Sequence, residues 1–222
     1  MLSLDTHYKR LYLYAEPRTG SKNLSLQQTL KRVFDVCFSL IVTILVLTWM
    51  IPLIGLLIQI DSPGPIIFKQ KRTGYHGIWF YCFKFRTMVY NPNETFKQAK
   101  KNDSRITTIG RFLRKTNMDE MPQFINVLIG NMSIVGPRPH PIQLDIQYWN
   151  TLPKYRSRYR TKPGITGLAQ TRGCRGETEQ LLKMDHRIKY DRMYIRKQSL
   201  FLDVRICWWT IKCMIKGDNN AF

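Results

Sequence analysis

Two adjacent carboxylates, Asp119 and Glu120, stand in a chain whose formal charge is +20. Arg111 and Arg114 precede them, and Arg138 follows in Gly136-Pro137-Arg138-Pro139. A carboxylate can attack phosphorus once the phosphate is neutralised, or hold a hard cation that bridges phosphates. Arginine presents a planar fork to phosphate oxygens. Prolines on both sides of Arg138 leave its loop little freedom to lose on binding. The plainer reading is that acids are favoured in a first helical turn by the macrodipole, without any chemistry. Thr116 and Asp119, like Asn117 and Glu120, have capping-box spacing for a helix over 118–128.

The elements that must position these groups lie on both sides. Short strands are expected at 66–68 and 79–85, around a turn carrying Gly74 and Gly77. Alternation along the second strand puts Phe83 and Phe85 on one face and Lys84 and Arg86 on the other, a basic row that either faces water or lines an anion site. Residues 91–104 read as a loop. Gly130 suits a helix C-terminus, and 133–135 a short strand leading into the Arg138 loop. Lys162-Pro163-Gly164-Ile165-Thr166-Gly167 is turn-rich, and Gly173-Cys174-Arg175-Gly176 allows close backbone approach to a ligand or is simply a loop. Residues 142–160 interleave aromatics with arginines, which suits stacking on a nucleic acid strand or lying at lipid headgroups. Residues 181–215 read as helical, basic first and then apolar with Trp208 and Trp209.

At 222 residues the chain can bury one core with an appended segment. Its pI near 10 calls for an anionic partner: nucleic acid, an anionic membrane or phosphorylated substrates. Five scattered cysteines, with no CxxC pair, argue against a disulfide framework or structural zinc. No side chain from 36 to 58 is charged, a length that suits a membrane helix. Pro52 and Gly55 interrupt it, and Lys31 and Arg32 before it balance Lys69, Lys71 and Arg72 after it. Positive charge at both ends places both on the cytoplasmic side, so a helix–break–helix that leaves by the face it entered competes with a spanning helix.

KRVFD ahead of the apolar run, FKQKRTG, FKFRTM, LRKTNMDEMPQFINVLIGNMSIVGPRPHP, KPGITG and YIRKQSLFLD occur in this order. Together they resemble the bacterial sugar transferases, the monotopic polyprenyl-phosphate phosphoglycosyl transferases, from about residue 31 to the C-terminus. The RGET and MDHRIKYDRMYIR segments resemble the glucose-phosphate transferases of the colanic-acid type. Those often carry an N-terminal multispan region, so the expectation is a minimal catalytic unit. The resemblance implies a membrane-associated α/β fold, mostly helical with short strands. A polar arm (1–29), a re-entrant membrane helix (30–61) and a cytoplasmic catalytic domain (62–222) with interfacial amphipathic helices would lie at the inner membrane.

It implies that Asp119 attacks the β-phosphate of a UDP-sugar, releases UMP and passes the sugar phosphate to undecaprenyl phosphate. Glu120 would hold Mg²⁺; Arg114, Arg138, Lys84, Arg86 and Arg175 would contact substrate. The partners implied are the UDP-sugar, undecaprenyl phosphate and an anionic membrane, with no nucleic acid; a homodimer is compatible with it. Glucose-1-phosphate is the expected cargo, for a capsule, exopolysaccharide or O-antigen unit. The chain departs from the family where Ile51, in place of serine, precedes Pro52, and in a one-residue offset at Arg175. The rivals are a basic nucleic-acid-binding module and a non-catalytic membrane scaffold.

Overall fold

The computed structural model describes residues 22–93, 97–100, 103–174 and 181–216. Its longest element is a helical rod. Helix α1 (Lys22–Val42) passes through a π-helical turn (Thr43–Leu47) into α2 (Thr48–Asp61). Within it, Leu26–Asp61 is long and apolar enough to cross a membrane. Pro52 explains the π turn: it offers no N–H to the Thr48 carbonyl, and its ring crowds that oxygen. A wider turn just upstream absorbs the misfit. There the Thr48 hydroxyl donates to the Ile44 carbonyl at 2.7 Å and the Trp49 indole N–H to the Leu45 carbonyl at 2.8 Å. Val42 and Thr48, which flank the turn, both keep right-handed helical geometry. The sequence break is therefore a distortion inside a continuous helix. Most of the expected 1–29 arm lies outside the described residues, and α1 already begins at Lys22.

One side of the rod, Leu47, Met50, Ile54 and Ile58, is buried in the same core as Phe80, Phe85, Leu113 and Val127. The other side leaves Phe38, Ile41, Leu45, Trp49, Leu53 and Leu56 exposed. Both ends are bolted to the rest of the chain. At the start, Lys31 donates to Asp203 at 2.7 Å and to the Val135 carbonyl, and the Ile134 N–H donates to Asp35. At the finish, Asp61 accepts the Ile109 N–H at 2.9 Å.

Strands β1 (Ile67–Thr73) and β2 (Trp79–Phe85) form an antiparallel hairpin with Ile67 opposite Phe85 and Thr73 opposite Trp79. β1 runs well past the expected 66–68. Its polar run Lys69-Gln70-Lys71-Arg72 hides a strand from hydropathy, yet Lys71 lies over the Trp79 ring, 4.7 Å from its centre. Helix α3 (Thr108–Thr116) begins at Thr107, whose hydroxyl accepts the Gly110 N–H at 3.0 Å. It ends at Asn117, whose left-handed backbone (φ 57°) turns the chain. Then come a 3₁₀ turn (Met118–Glu120), α4 (Gln123–Ile129), β3 (Ser133–Val135) and α5 (Ile142–Tyr148). Strand β4 (Gly164–Thr166) pairs parallel with β3, followed by α6 (Leu168–Thr171), α7 (Leu181–Lys197) and α8 (Leu200–Lys216).

The helix expected over 118–128 starts later, and neither capping box forms. The Thr116 hydroxyl instead donates back to the Phe112 carbonyl, closing α3. The aromatic tract 142–160 is no stacking surface either: Tyr148, Trp149, Tyr155 and Tyr159 bury themselves against Met184 and Ile188 in a second core. The single helical stretch expected over 181–215 is two helices, divided before Ser199, whose hydroxyl accepts the Leu202 N–H.

Candidate active site

The 3₁₀ turn carries Asp119 and Glu120 into the angle between β2, α3 and the loop after β3. Three local devices bring the pieces together. First, Asn126 on α4 is fully buried and serves the free edge of β2, accepting the Phe83 N–H at 2.9 Å and donating to the Tyr81 carbonyl at 2.7 Å. That joins the strand carrying Lys84 to the segment carrying the carboxylates. Second, Gly110 lets α3 touch the chain at Thr87: a Cβ there would stand 2.1 Å from the Thr87 carbonyl oxygen. The Arg114 Nε can then donate to the Thr87 hydroxyl at 2.9 Å. Third, a Cβ on Gly164 would meet the Gly136 nitrogen at 2.1 Å, so the β3–β4 crossing beneath the Arg138 loop admits no side chain.

Glu120 is the charge centre. Lys84 Nζ lies 2.6 Å from its Oε1, and Arg138 grips it with both terminal nitrogens, Nη1 at 2.9 Å from Oε2 and Nη2 against Oε1. Burial alone would raise the Glu120 carboxyl, but Arg138 and Lys84 override it and hold the group well below the usual carboxylate range. Asp119 is treated differently. Its nearest cation is Lys84, 3.7 Å from Oδ2, too far for a hydrogen bond. Burial, helped by the charge of Glu120, pushes its carboxyl up against the pull of Lys84. The pair thus divides into one clamped anion and one loosely held, poorly solvated carboxylate. The latter suits a nucleophile.

The positive potential comes from Lys84, Arg114 and Arg138. The seven-residue α4 begins only after the carboxylates, so the pair does not stand in its first turn. The Arg138 loop is held from behind through three successive carbonyls. Arg158 donates to that of Arg138 at 2.7 Å, Arg72 to that of Pro139 at 2.8 Å, and the Thr73 N–H to that of His140 at 3.2 Å. With its backbone fixed this way, the Arg138 side chain is directed at Glu120.

Of the residues expected to contact substrate, Lys84, Arg114 and Arg138 converge on the pair. Arg86 does not. It lies one residue past β2 and spends its guanidinium on the end of α2, donating to the Ser62 carbonyl at 2.6 Å and the Pro63 carbonyl at 2.5 Å. It is a C-terminal cap of the rod. Arg175 lies outside the described residues. Arg72, Arg158, Gly110 and Asn126 were not singled out as site residues, although an arginine beside a tight Thr-Gly turn in KRTG was a signal that could have been read.

Among the described residues no three metal-ligating side chains cluster. Both Glu120 oxygens are engaged by Lys84 and Arg138, so the adjacent carboxylates fit a cation such as Mg²⁺ where it displaces one of these contacts and takes its other ligands from substrate phosphates and water.

A long apolar helix, long enough to cross a membrane, fixed to a body that carries a cation-flanked carboxylate pair is what the fold and geometry define. The sequence profile of the family Bacterial sugar transferase matches residues 26–217, and the chain belongs to that family. It is 43% identical over 209 residues to UDP-glucose:undecaprenyl-phosphate glucose-1-phosphate transferase of Escherichia coli (strain K12), covering 94% of this chain and 43% of that protein. It is 44% identical over 187 residues to exopolysaccharide production protein PSS of Rhizobium leguminosarum bv. phaseoli, covering 82% of this chain and 93% of that one. Undecaprenyl-phosphate galactose phosphotransferase of Salmonella typhimurium is 37% identical over 206 residues, 86% of this chain and 41% of that protein. The chain thus spans less than half the length of the Escherichia and Salmonella relatives.

Proposed function

We propose that this chain transfers a hexose-1-phosphate, glucose-1-phosphate in the first instance, from a UDP-sugar to undecaprenyl phosphate. The observation that carries it is the division of labour at the pair: Glu120 clamped by Arg138 and Lys84, Asp119 left available. The names of the glucose-specific relatives support the donor and acceptor, and the Salmonella relative's name makes galactose the runner-up cargo.

In this reading an Asp119 carboxylate oxygen attacks the sugar-bearing phosphorus of the donor. The bond from that phosphorus to the bridging oxygen breaks, and UMP leaves with the electron pair. An oxygen of undecaprenyl phosphate then attacks the same phosphorus and expels Asp119 as a carboxylate, giving the diphosphate-linked sugar. Arg138 and Arg114 hold and neutralise phosphate oxygens through both steps. Lys84 pulls the Asp119 carboxyl down against the upward push of burial. Glu120, with Asp119 beside it, would hold Mg²⁺, which when bound supplies charge neutralisation across the diphosphate.

The rod enters and leaves the bilayer by the cytoplasmic face. What supports this reading is that both its ends are tied to the same body, through Lys31 and Asp35 at the start and Asp61 at the finish. The π turn at Thr43–Leu47, just before Pro52, distorts the helix without breaking it, and in this reading it is where the segment would bend in a bilayer.

The test is UMP release from a panel of UDP-sugars with Mg²⁺ and undecaprenyl phosphate, for the wild type and Asp119→Asn. Wild-type UMP from one sugar, lost in the variant, supports the reaction and names the cargo. With acceptor withheld, the wild type should gain the mass of a hexose phosphate in a rapid quench; UMP release without any such adduct would reject the covalent route.

A further inference from the structure

A second basic site lies away from the carboxylate pair, between α6 and α8. Helix α8 is docked on the body by its inner face: Asp203 holds Lys31, the Thr210 hydroxyl meets that of Thr166 at 2.7 Å, and Cys213 lies 3.9 Å from the Thr171 carbonyl. Its outer face is an exposed apolar stripe of Phe201, Val204, Trp208, Ile211 and Ile215. The stripe starts at the foot of the rod, because Lys31 of α1 and Asp203 of α8 are ion-paired at 2.7 Å.

The cations of α8 are not spread around that stripe. Arg205, Lys212 and Lys216 fall on one flank of it, as their spacing at the helical period requires. Beyond that flank opens a cleft of about 150 Å³ lined by Arg172, Lys212, Lys216, Trp209, Thr171 and Cys213. The Arg172 guanidinium lies 4.8 Å from the Trp209 ring centre, which fixes its plane. Among the described residues none of Arg172, Lys212 and Lys216 has a carboxylate partner. The cleft is several water volumes in size, the scale of one phosphate group.

We infer that this cleft binds the phosphodiester headgroup of an anionic phospholipid, while the stripe lies in the acyl boundary beneath it. The occupant is a bilayer lipid because the cleft flanks the apolar stripe of α8, a helix whose other end is ion-paired to the membrane rod. The inference rests on the membrane reading of the rod and goes beyond the transferase site, with which it shares no residue.

The full chain is incorporated into phosphatidylcholine nanodiscs with increasing brominated phosphatidylglycerol, and tryptophan quenching is followed. The signal of Trp208 and Trp209 is isolated against a Trp208→Phe/Trp209→Phe variant. Co-elution with the disc checks the membrane reading independently. The wild type should quench at a lower mole fraction of brominated phosphatidylglycerol than of brominated phosphatidylcholine. Arg172→Gln/Lys212→Gln/Lys216→Gln should lose that preference by roughly fivefold for each cation removed. Lys115→Gln/Lys183→Gln/Lys197→Gln, with the same change in charge, should keep it. An unchanged preference in the first triple variant overturns the inference. So does relief of quenching by soluble glycerol phosphate, which would make the cleft a free-anion site. Relief by one equivalent of undecaprenyl phosphate also overturns it, by making the cleft part of the acceptor site.

Discussion

Arg158 binds Arg138 through its backbone: one guanidinium nitrogen donates to the Arg138 carbonyl at 2.7 Å and to Asp191 at 2.9 Å. A buried ion pair thereby fixes the residue that clamps Glu120. Removing one partner of such a pair strands the other. Arg158→Met should lower stability by about 3–5 kcal/mol, measured by denaturant unfolding in detergent. Arg158→Met/Asp191→Met should regain most of that stability without regaining transferase activity, because the Arg138 carbonyl is still ungripped. Full activity in the double variant would show that the grip is only structural.

Glu120→Gln separates metal holding from charge clamping. The amide keeps the shape but weakens both the grip on Arg138 and the affinity for a divalent cation. The Mg²⁺ concentration for half-maximal UMP release should rise about tenfold or more, as 1.4 kcal/mol of lost ligation gives. An unchanged titration would reject a metal role for this residue.

Lys84→Met tests the ionisation of Asp119. Burial and Glu120 already push the Asp119 carboxyl up, and Lys84 is the leading influence pulling it down. Without that cation the folded-state value rises further. In the proposed reaction Asp119 attacks only when ionised, so the acid limb of the rate profile should move to higher pH. A limb that stays in place would separate Asp119 from the titration that governs rate.

Asp145 gives a stability counterpart. Burial lifts its carboxyl to about 6, against the hydrogen bond from Tyr155 at 2.6 Å, with Tyr159 and Arg158 also acting to lower it. A folded value above the unfolded one means the native state binds the extra proton. Its stabilising contribution is complete below the unfolded value of about 4 and is lost as pH rises through 6. The change is roughly 3 kcal/mol at 1.4 kcal/mol per tenfold. The stability difference between the wild type and Asp145→Asn should shift by about that amount between about pH 4 and 7, over the opposite slope from His140, which burial and Arg158 hold low in both proteins.

Cysteines introduced one at a time at Leu30 and Pro63, in a chain with Cys37, Cys174, Cys207 and Cys213 replaced and only the buried Cys82 kept, should both react with an impermeant thiol reagent from the cytoplasmic side of inverted vesicles. Labelling from opposite sides would restore a spanning helix.

Much of this site was legible as sequence because its chemistry is local. Asp119, Glu120 and the proline-braced Arg138 announce themselves by residue type, and strand alternation put Lys84 on the correct face. What was illegible depends on tertiary placement. Arg86 shares parity with Lys84, but β2 ends at Phe85, and beyond a strand's end alternation no longer fixes direction. The capping boxes at Thr116 and Asn117 had the right spacing, yet Asn117 in left-handed geometry served to end one helix and not to start another. Arg72 and Arg158 act on backbone carbonyls far away in sequence, a role that no local pattern encodes.

Leu47, Met50, Ile54 and Ile58 come from the apolar rod, yet they pack in one core with Phe85 and Leu113 of the strand and helix that carry Lys84 and Arg114. Trimming the rod to obtain a water-soluble fragment would uncover the floor under α3 and β2. On the proposed function the bilayer would then act as a folding solvent for the carboxylate site as well as a store of the acceptor. Lipid thickness and fluidity become variables of enzyme architecture, and extraction from the membrane is expected to loosen the site before it unfolds the domain.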